Sequence, residues 1–228
     1  MIPKKGKFLT GIVMMIAFGV VLVAMFMPIF GQKNGLEYMD DLYNSISKGS
    51  AYYIPKVKED VKPLEGQQVE MQLVMADARQ AEQTAKLFNA AGALVNISDN
   101  TLTVSGGLGK IMANSLEDAD AMYHNDSQAL QAKYGMDARL ALYNWWQACS
   151  AMDKSLKKQK MFKAAKMVDL VRKKAIETSY NYFGIEGQSI GDRFGVIMFS
   201  LVFYVVYTLW YGFGIMFLFE GYGMQLEH

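Results

Sequence analysis

Cysteine occurs once in 228 residues, histidine twice and proline four times. A single cysteine excludes a disulfide framework and any zinc site built on several thiolates. Neither sign of charge dominates, since 23 basic residues face 22 acidic ones, and this excludes a globally basic nucleic-acid binder. No dinucleotide fingerprint and no haem-attachment pair occur, so no cofactor is expected. A Ser-His-Asp arrangement would have to recruit His124, and no serine sits in a nucleophile motif, so catalysis is not expected either. What is abundant is apolar: 52% of the residues are hydrophobic, including 17 methionines, which excludes a disordered chain. The final Leu226-Glu227-His228 reads as the start of a vector-encoded tail and is set aside. His124 is then the only histidine.

Two runs carry no charge at all. Phe8 to Phe30 is longer than the apolar core of a secretory signal and lacks a small-x-small cleavage site, so an uncleaved anchor is expected. Phe194 to Phe219 is long enough to cross a bilayer with some tilt. Trp210, Tyr211 and Tyr222 lie toward its end, where amphipathic rings favour the interface. Lys4, Lys5 and Lys7 precede the first run, and only Glu220 follows the second ahead of the tail. The positive-inside bias predicts cytoplasmic N- and C-termini and an extracytoplasmic segment between the spans.

That segment, residues 31–192, reads as a domain with its own core. Asn34-Gly35-Leu36-Glu37 has the form of a capping box opening a helix. Residues 56–66, flanked by Pro55 and Pro63, read as a connector. Gln68 to Met75 alternates apolar and polar residues and predicts a half-buried strand. Asp77 to Gln80 is a second capping box, and Gly92 closes the helix that follows. Ala93 to Ser98, Asp99-Asn100 and Thr101 to Ser105 read as strand, two-residue turn and strand. A crossover helix predicts that the first two strands are parallel neighbours. From 108 the chain reads helical to about Tyr182, with breaks near Asn125 and Gly135, and is expected to run on into the second span. Leu140, Tyr143, Trp146 and Cys149 are expected on one apolar face, and Met161, Ala165, Val168, Val171 and Ala175 on another. Cys149 is expected to be buried and inert.

Four constellations merit attention. Gly106 to Lys110 has the outline of a phosphate loop but lacks the four-residue spacing and the hydroxyl after lysine. Asp120 and His124, one helical turn apart, are candidate ligands for a divalent ion, set against an ordinary acidic helix face. Nine basic residues between 154 and 174 face only Asp169, and Lys157, Lys158, Lys163, Lys166, Lys173 and Lys174 are the candidate surface for an anionic partner or lipid head groups. Ser200, Tyr204, Thr208 and Gly212 recur every four residues, with Tyr207 and Tyr211 beside them. In lipid such a stripe prefers another helix, and contact between chains is the expected use.

The expected fold is an α+β membrane protein, with two transmembrane helices (8–30 and 193–219) flanking an extracytoplasmic domain. That domain holds a small β-α-β-β sheet (67–105) and several long helices (108–190). At the level of fold alone, this order is similar to half of a ferredoxin-like fold and to small domains that assemble into membrane-associated rings. Such topologies host many functions. The expected role is structural: a self-associating, two-pass subunit of an envelope complex in a bacterial inner membrane. Its expected partners are the lipid bilayer, further copies of itself and other envelope proteins, not nucleic acid. A homo-oligomeric channel lined by the second span and a ligand sensor with a separate output partner are the alternatives.

Overall fold

The computed structural model describes residues 3–224; the Leu226 to His228 tail lies outside them. The chain divides into two compact units, one made of residues 1–49 and 187–228, the other of residues 50–186.

The first unit is a helical hairpin with a third helix. α1 (Lys5–Phe26) and α10 (Ile190–Tyr222) are 22 and 33 residues long, about 33 and 50 Å at 1.5 Å per residue. Both are long and apolar enough to cross a membrane, and almost none of either is buried within the chain. A core helix of a water-soluble protein would be covered by its own fold. They run antiparallel: the Lys4 amide donates to the Gly221 carbonyl over 3.2 Å, and Lys7 pairs with Glu220. Glycines set how closely they approach. A Cβ on Gly11 would lie 2.7 Å from the Leu218 nitrogen, one on Gly214 2.9 Å from the Met15 sulfur, and one on Gly221 2.5 Å from the Phe8 nitrogen. α2 (Gly35–Ser50) opens on the predicted capping box: the Glu37 amide donates to Asn34 Oδ1, and the Asn34 amide donates back to Glu37.

The second unit begins with α3 (Ile54–Asp60) and a short 3-10 turn (Lys62–Leu64). The connector predicted there is mostly helical, because Pro55 and Pro63 occupy first-turn positions, where a missing N–H costs nothing. β1 (Gln68–Val74), α4 (Ala78–Ala90), β2 (Leu94–Ser98) and β3 (Thr101–Gly107) follow. α4 starts on Asp77, which accepts from the Gln80 amide. Gln80 reaches back to the Ala76 amide, one residue earlier than in a standard capping box.

The sheet order is β1-β3-β2, with both pairings antiparallel. The first two strands are therefore not neighbours as expected, because β3 lies between them. The Asp99-Asn100 turn folds β3 directly onto β2. All seven residues of β3 then pair with all seven of β1, from Gln68↔Gly107 to Val74↔Thr101. Leu102 and Val104 are fully buried, while β2 is largely exposed and takes an edge. A central position suits the strand with more apolar surface to bury.

Helices α5 (Leu108–Tyr123), α6 (Ser127–Tyr134), α7 (Ala138–Lys158), α8 (Phe162–Val171) and α9 (Glu177–Tyr182) complete this unit, and a π-helical turn, Arg172–Ile176, joins the last two. The breaks fall where expected, at Asn125 and Gly135, both with positive φ. Continuity into the second long helix does not hold. α9 ends at Tyr182, Gly184 turns the chain at φ +84, and seven residues separate the end of α9 from the start of α10. The buried face of α7 also differs from the expected one: it runs through Ala141, Leu142, Trp145, Ala148, Cys149 and Met152, with Tyr143 exposed. Two adjacent tryptophans fit the helical period in either register, and the space beside Phe88 and Asp118 takes the Trp145 ring. Of the second expected stripe, Ala165, Val168, Val171 and Ala175 are fully buried, while Met161, the residue before α8, is partly buried.

Inside this core one carboxylate gathers three donors. Asp118, 2% exposed, accepts from Trp145 Nε1 at 2.7 Å, from Lys133 Nζ at 2.7 Å and from the Tyr134 hydroxyl. Asn114 bridges the last two, accepting from Lys133 and donating to Tyr134. The cluster ties α5, α6 and α7 together. Burial, and then the adjacent Asp118 charge, push the Tyr134 phenol far above its ordinary value.

Asp118→Ala leaves the Trp145 and Tyr134 donors without their acceptor and the Lys133 ammonium without its counter-charge, and is expected to cost about 3–5 kcal/mol of stability, measured by denaturant unfolding. The Tyr134 shift also fixes a sign. Its neutral form is held in the fold, while an unfolded tyrosine ionises near ~10. Stability is expected to be flat below that pH and to fall above it. The alkaline loss should be smaller in Tyr134→Phe.

Candidate functional site

The six residues predicted on the second span do not share one environment. Ser200 Oγ bonds to the Tyr43 hydroxyl of α2 at 2.6 Å and donates to the Ile197 carbonyl at 2.8 Å. Tyr207 stacks on Phe18 of α1 with ring centroids 4.3 Å apart, and Tyr211 packs on the same ring at 5.1 Å. These three positions serve contacts within the hairpin unit. Tyr204 is 68% exposed, and a Cβ on Gly212 would meet nothing within 4 Å. Thr208 is exposed too, and its hydroxyl is satisfied at 2.7 Å by the Tyr204 carbonyl. Tyr204, Thr208 and Gly212 thus form the part of the stripe that the chain's own helices leave open.

Beside them runs a side-open apolar groove of about 550 Å³, walled by Phe18, Leu22 and Met25 of α1, Leu36 and Met39 of α2, and the Ser200–Tyr211 stretch of α10. Phe199, Phe203 and Tyr207 stack in succession along the same helix, at 5.9 and 5.5 Å. The sequence disclosed the hydroxyl period but not this groove. The aromatic period of Phe199, Phe203 and Tyr207, also four, was the signal available.

Glycine use on this surface was only partly legible. The two spans of one chain do pack together, through Gly11, Gly214 and Gly221. Of these, Gly214 and Gly221 are seven apart on α10 and lie off the hydroxyl stripe.

In the other unit, Asp120 and His124 do meet, with His124 Nδ1 3.3 Å from Asp120 Oδ1. Both carboxylate oxygens are also engaged elsewhere, one by the Tyr52 hydroxyl at 2.7 Å and one by Lys58 at 3.0 Å. Burial, then the bond to Asp120, push the Tyr52 phenol up to about 12. Among the described residues no group of three histidine, cysteine, aspartate or glutamate side chains stands ready for a metal. The lysine on Asp120 already supplies the positive charge that an ion would bring.

The basic surface is likewise divided. Lys157 pairs with Asp153 at 2.7 Å, Lys173 with Asp169 at 2.8 Å, and Lys174 lies 4.8 Å above the Tyr53 ring. Burial opposes ionisation of Asp169, but bonds from Lys173 and Arg172 outweigh it and hold the carboxyl below its ordinary range. Lys158 helps line a polar recess of about 180 Å³ with Lys154, Gln147, Ser150 and Gln72. Lys163 and Lys166 are exposed on α8.

The glycines of Gly106-Gly107-Leu108-Gly109 serve packing. A Cβ on Gly106 would lie 2.9 Å from that of Ala93, and one on Gly109 2.9 Å from the Glu65 Cα. Gly106 and Gly107 close β3, and α5 begins at Leu108. Cys149 is fully buried, and burial drives its thiol up to about 12, so at neutral pH it holds almost no thiolate.

No protein-family model, curated protein or solved structure matches the chain.

The hairpin geometry predicts unequal responses from its glycines. Gly221→Val has to separate α10 from the Phe8 backbone and is expected to cost roughly 1–3 kcal/mol. Gly195→Val, at a position with open space, should cost little. Unfolding temperatures of the two variants in a mild detergent check the difference.

Proposed function

We propose that this chain is a two-span membrane protein that self-associates through its second span and serves as a structural or accessory subunit of an envelope complex. The observation that carries the reading is the open part of the α10 stripe. α1 packs on one side of α10 through Gly214 and Gly221, yet Tyr204, Thr208 and Gly212 lie elsewhere on the helix without a covering element. In lipid, small and hydroxylated positions that no helix covers favour a second helix, because small residues let backbones approach and pack. Two long helices with exposed apolar side chains along both support the bilayer as their surroundings.

The antiparallel pair has its N-terminal and C-terminal ends together, as the Lys7–Glu220 contact records. Crossing as a pair puts both ends on one side and the Ser50–Glu186 unit on the other. The positive-inside bias of Lys4, Lys5 and Lys7 supports cytoplasmic ends, and the membrane of this reading is a bacterial inner membrane.

A single cysteine at Gly212 tests the association, since Cys149 is buried and lacks thiolate. Gly212→Cys is expected to form a disulfide-linked dimer on oxidation in membranes. Val206→Cys, on another face of the same helix, is not. Adding Thr208→Leu to the Gly212→Cys chain should lower the cross-linked fraction about five- to thirtyfold, for a contact worth about 1–2 kcal/mol. Equal cross-linking at 206 and 212 would remove the proposal.

A further inference from the structure

A second cavity lies wholly within the Ser50–Glu186 unit, beside the π-helical turn. It measures about 250 Å³ and is lined by Tyr143 and Trp146 of α7 and by Glu177, Tyr180 and Asn181 of α9. π-Turns inside helices recur at functional sites, and this one immediately precedes Glu177. Three aromatic side chains and one carboxylate form nearly the whole wall.

The rings are held in place. Tyr143 and Trp146 lie nearly parallel, 17° apart, with centroids separated by 6.4 Å. The Trp146 indole N–H donates to Glu177 Oε2 at 3.1 Å, which fixes both side chains. Gln147 donates to the Tyr143 hydroxyl at 2.7 Å. Trp146 already attracts one cation, since the Arg172 guanidinium sits 5.3 Å from its ring centroid. Arg172 is bonded to Asp169 and reaches Glu177 at 4.0 Å, and Lys173 is also bonded to Asp169. Neither basic residue lines the cavity, so among the described residues Glu177 is the one charged group in its wall, with Arg172 behind it at 4.0 Å. Tyr143 and Tyr180 remain about 40% exposed, so the cavity is open to solvent.

Each class of ligand can be weighed against this wall. An anion meets Glu177. A neutral apolar group strips water from the Glu177 carboxylate and returns no charge. A divalent metal ion favours several charged oxygen ligands, and the wall offers one carboxylate beside neutral phenol and amide oxygens, while a primary ammonium would need its three N–H groups satisfied by that carboxylate and those neutral oxygens. A methylated ammonium has no N–H to satisfy, is attracted by aromatic faces, and balances a single carboxylate. The volume is below the 300 Å³ or so of pockets for drug-sized molecules, which suits a small head group.

We propose that the Tyr143–Trp146–Glu177–Tyr180 cavity binds a quaternary or methylated ammonium group. The group is carried either by a free solute such as choline or by a choline-bearing lipid head. This assignment does not depend on the membrane reading.

The test uses the full chain in a maltoside detergent, titrated calorimetrically with tetramethylammonium and choline. The neutral carbon isostere of choline, 3,3-dimethylbutan-1-ol, is the control. Saturable binding of both cations is expected, with the isostere about tenfold weaker or more. Glu177→Gln keeps an acceptor for the Trp146 N–H but removes the charge, and should weaken choline about five- to tenfold. Tyr180→Leu should do the same, while Tyr180→Phe, which keeps the ring, should bind almost as the parent does. Should Glu177→Gln fail to fold, the Tyr180 pair carries the test. Repeating the choline titration in phosphatidylcholine and phosphatidylglycerol nanodiscs separates the sources. Competition only in phosphatidylcholine assigns the lipid head, and an equal response in both assigns the free solute. Equal affinity for choline and its isostere, or no saturable choline binding, would overturn the proposal.

Discussion

Apolar side chains that the chain does not itself cover are the constraint on which the rest of this structure depends. Along α1 and α10, leucines, valines, isoleucines and phenylalanines stand roughly half to two-thirds exposed. Each would cost on the order of 1.5–3 kcal/mol to hold in water instead of in an apolar medium. Pairing the two helices relieves little of this, because only the glycine-centred strip between them is buried. Both helices are long and apolar enough for a bilayer to supply the remainder. Their backbones suit it, since a helix satisfies its own hydrogen bonds.

The Ser50–Glu186 unit solves the opposite problem. Its core is closed, and its polar groups are placed with care. Asp118 can be buried because indole, phenol and ammonium donors converge on it from two other helices. The cluster holds α5, α6 and α7 to one another through donors that each need this acceptor. The same economy governs the glycines around 106–109, which let β3 and α5 approach Ala93 and Glu65. A sequence that looks like an anion loop is thereby accounted for by packing alone.

The two proposals rest on different physics. Self-association through α10 relies on close packing in a medium with no hydrophobic drive between helices. Ammonium binding relies on aromatic faces and one carboxylate, attractions that weaken in bulk water and gain from partial burial. They reside in separate units, so either can hold without the other.

Local features were legible from the residues because their causes are local. The charge-free runs, the Asn34–Glu37 capping box, the breaks at Asn125 and Gly135 and the Asp99-Asn100 turn each depend on a few adjacent side chains. The hydroxyl period of α10 was readable as well, being a repeat of four. What the residues left open were choices among partners. β3 rather than β2 lies beside β1 because a seven-residue strand with two fully buried side chains fills the centre better. Trp145 rather than Trp146 enters the core because the space beside Phe88 and Asp118 takes one ring. Asp120 pairs with Lys58 and Tyr52, 62 and 68 residues away, which no spacing along a helix reveals. The stripe divides into covered and open parts only once Phe18 and Tyr43 are in place. Sequence by itself determined which segments are helical, which are apolar and where they end, since backbone sterics and solvent transfer act residue by residue. Tertiary structure alone decided which faces meet, because packing depends on shapes brought together from distant parts of the chain.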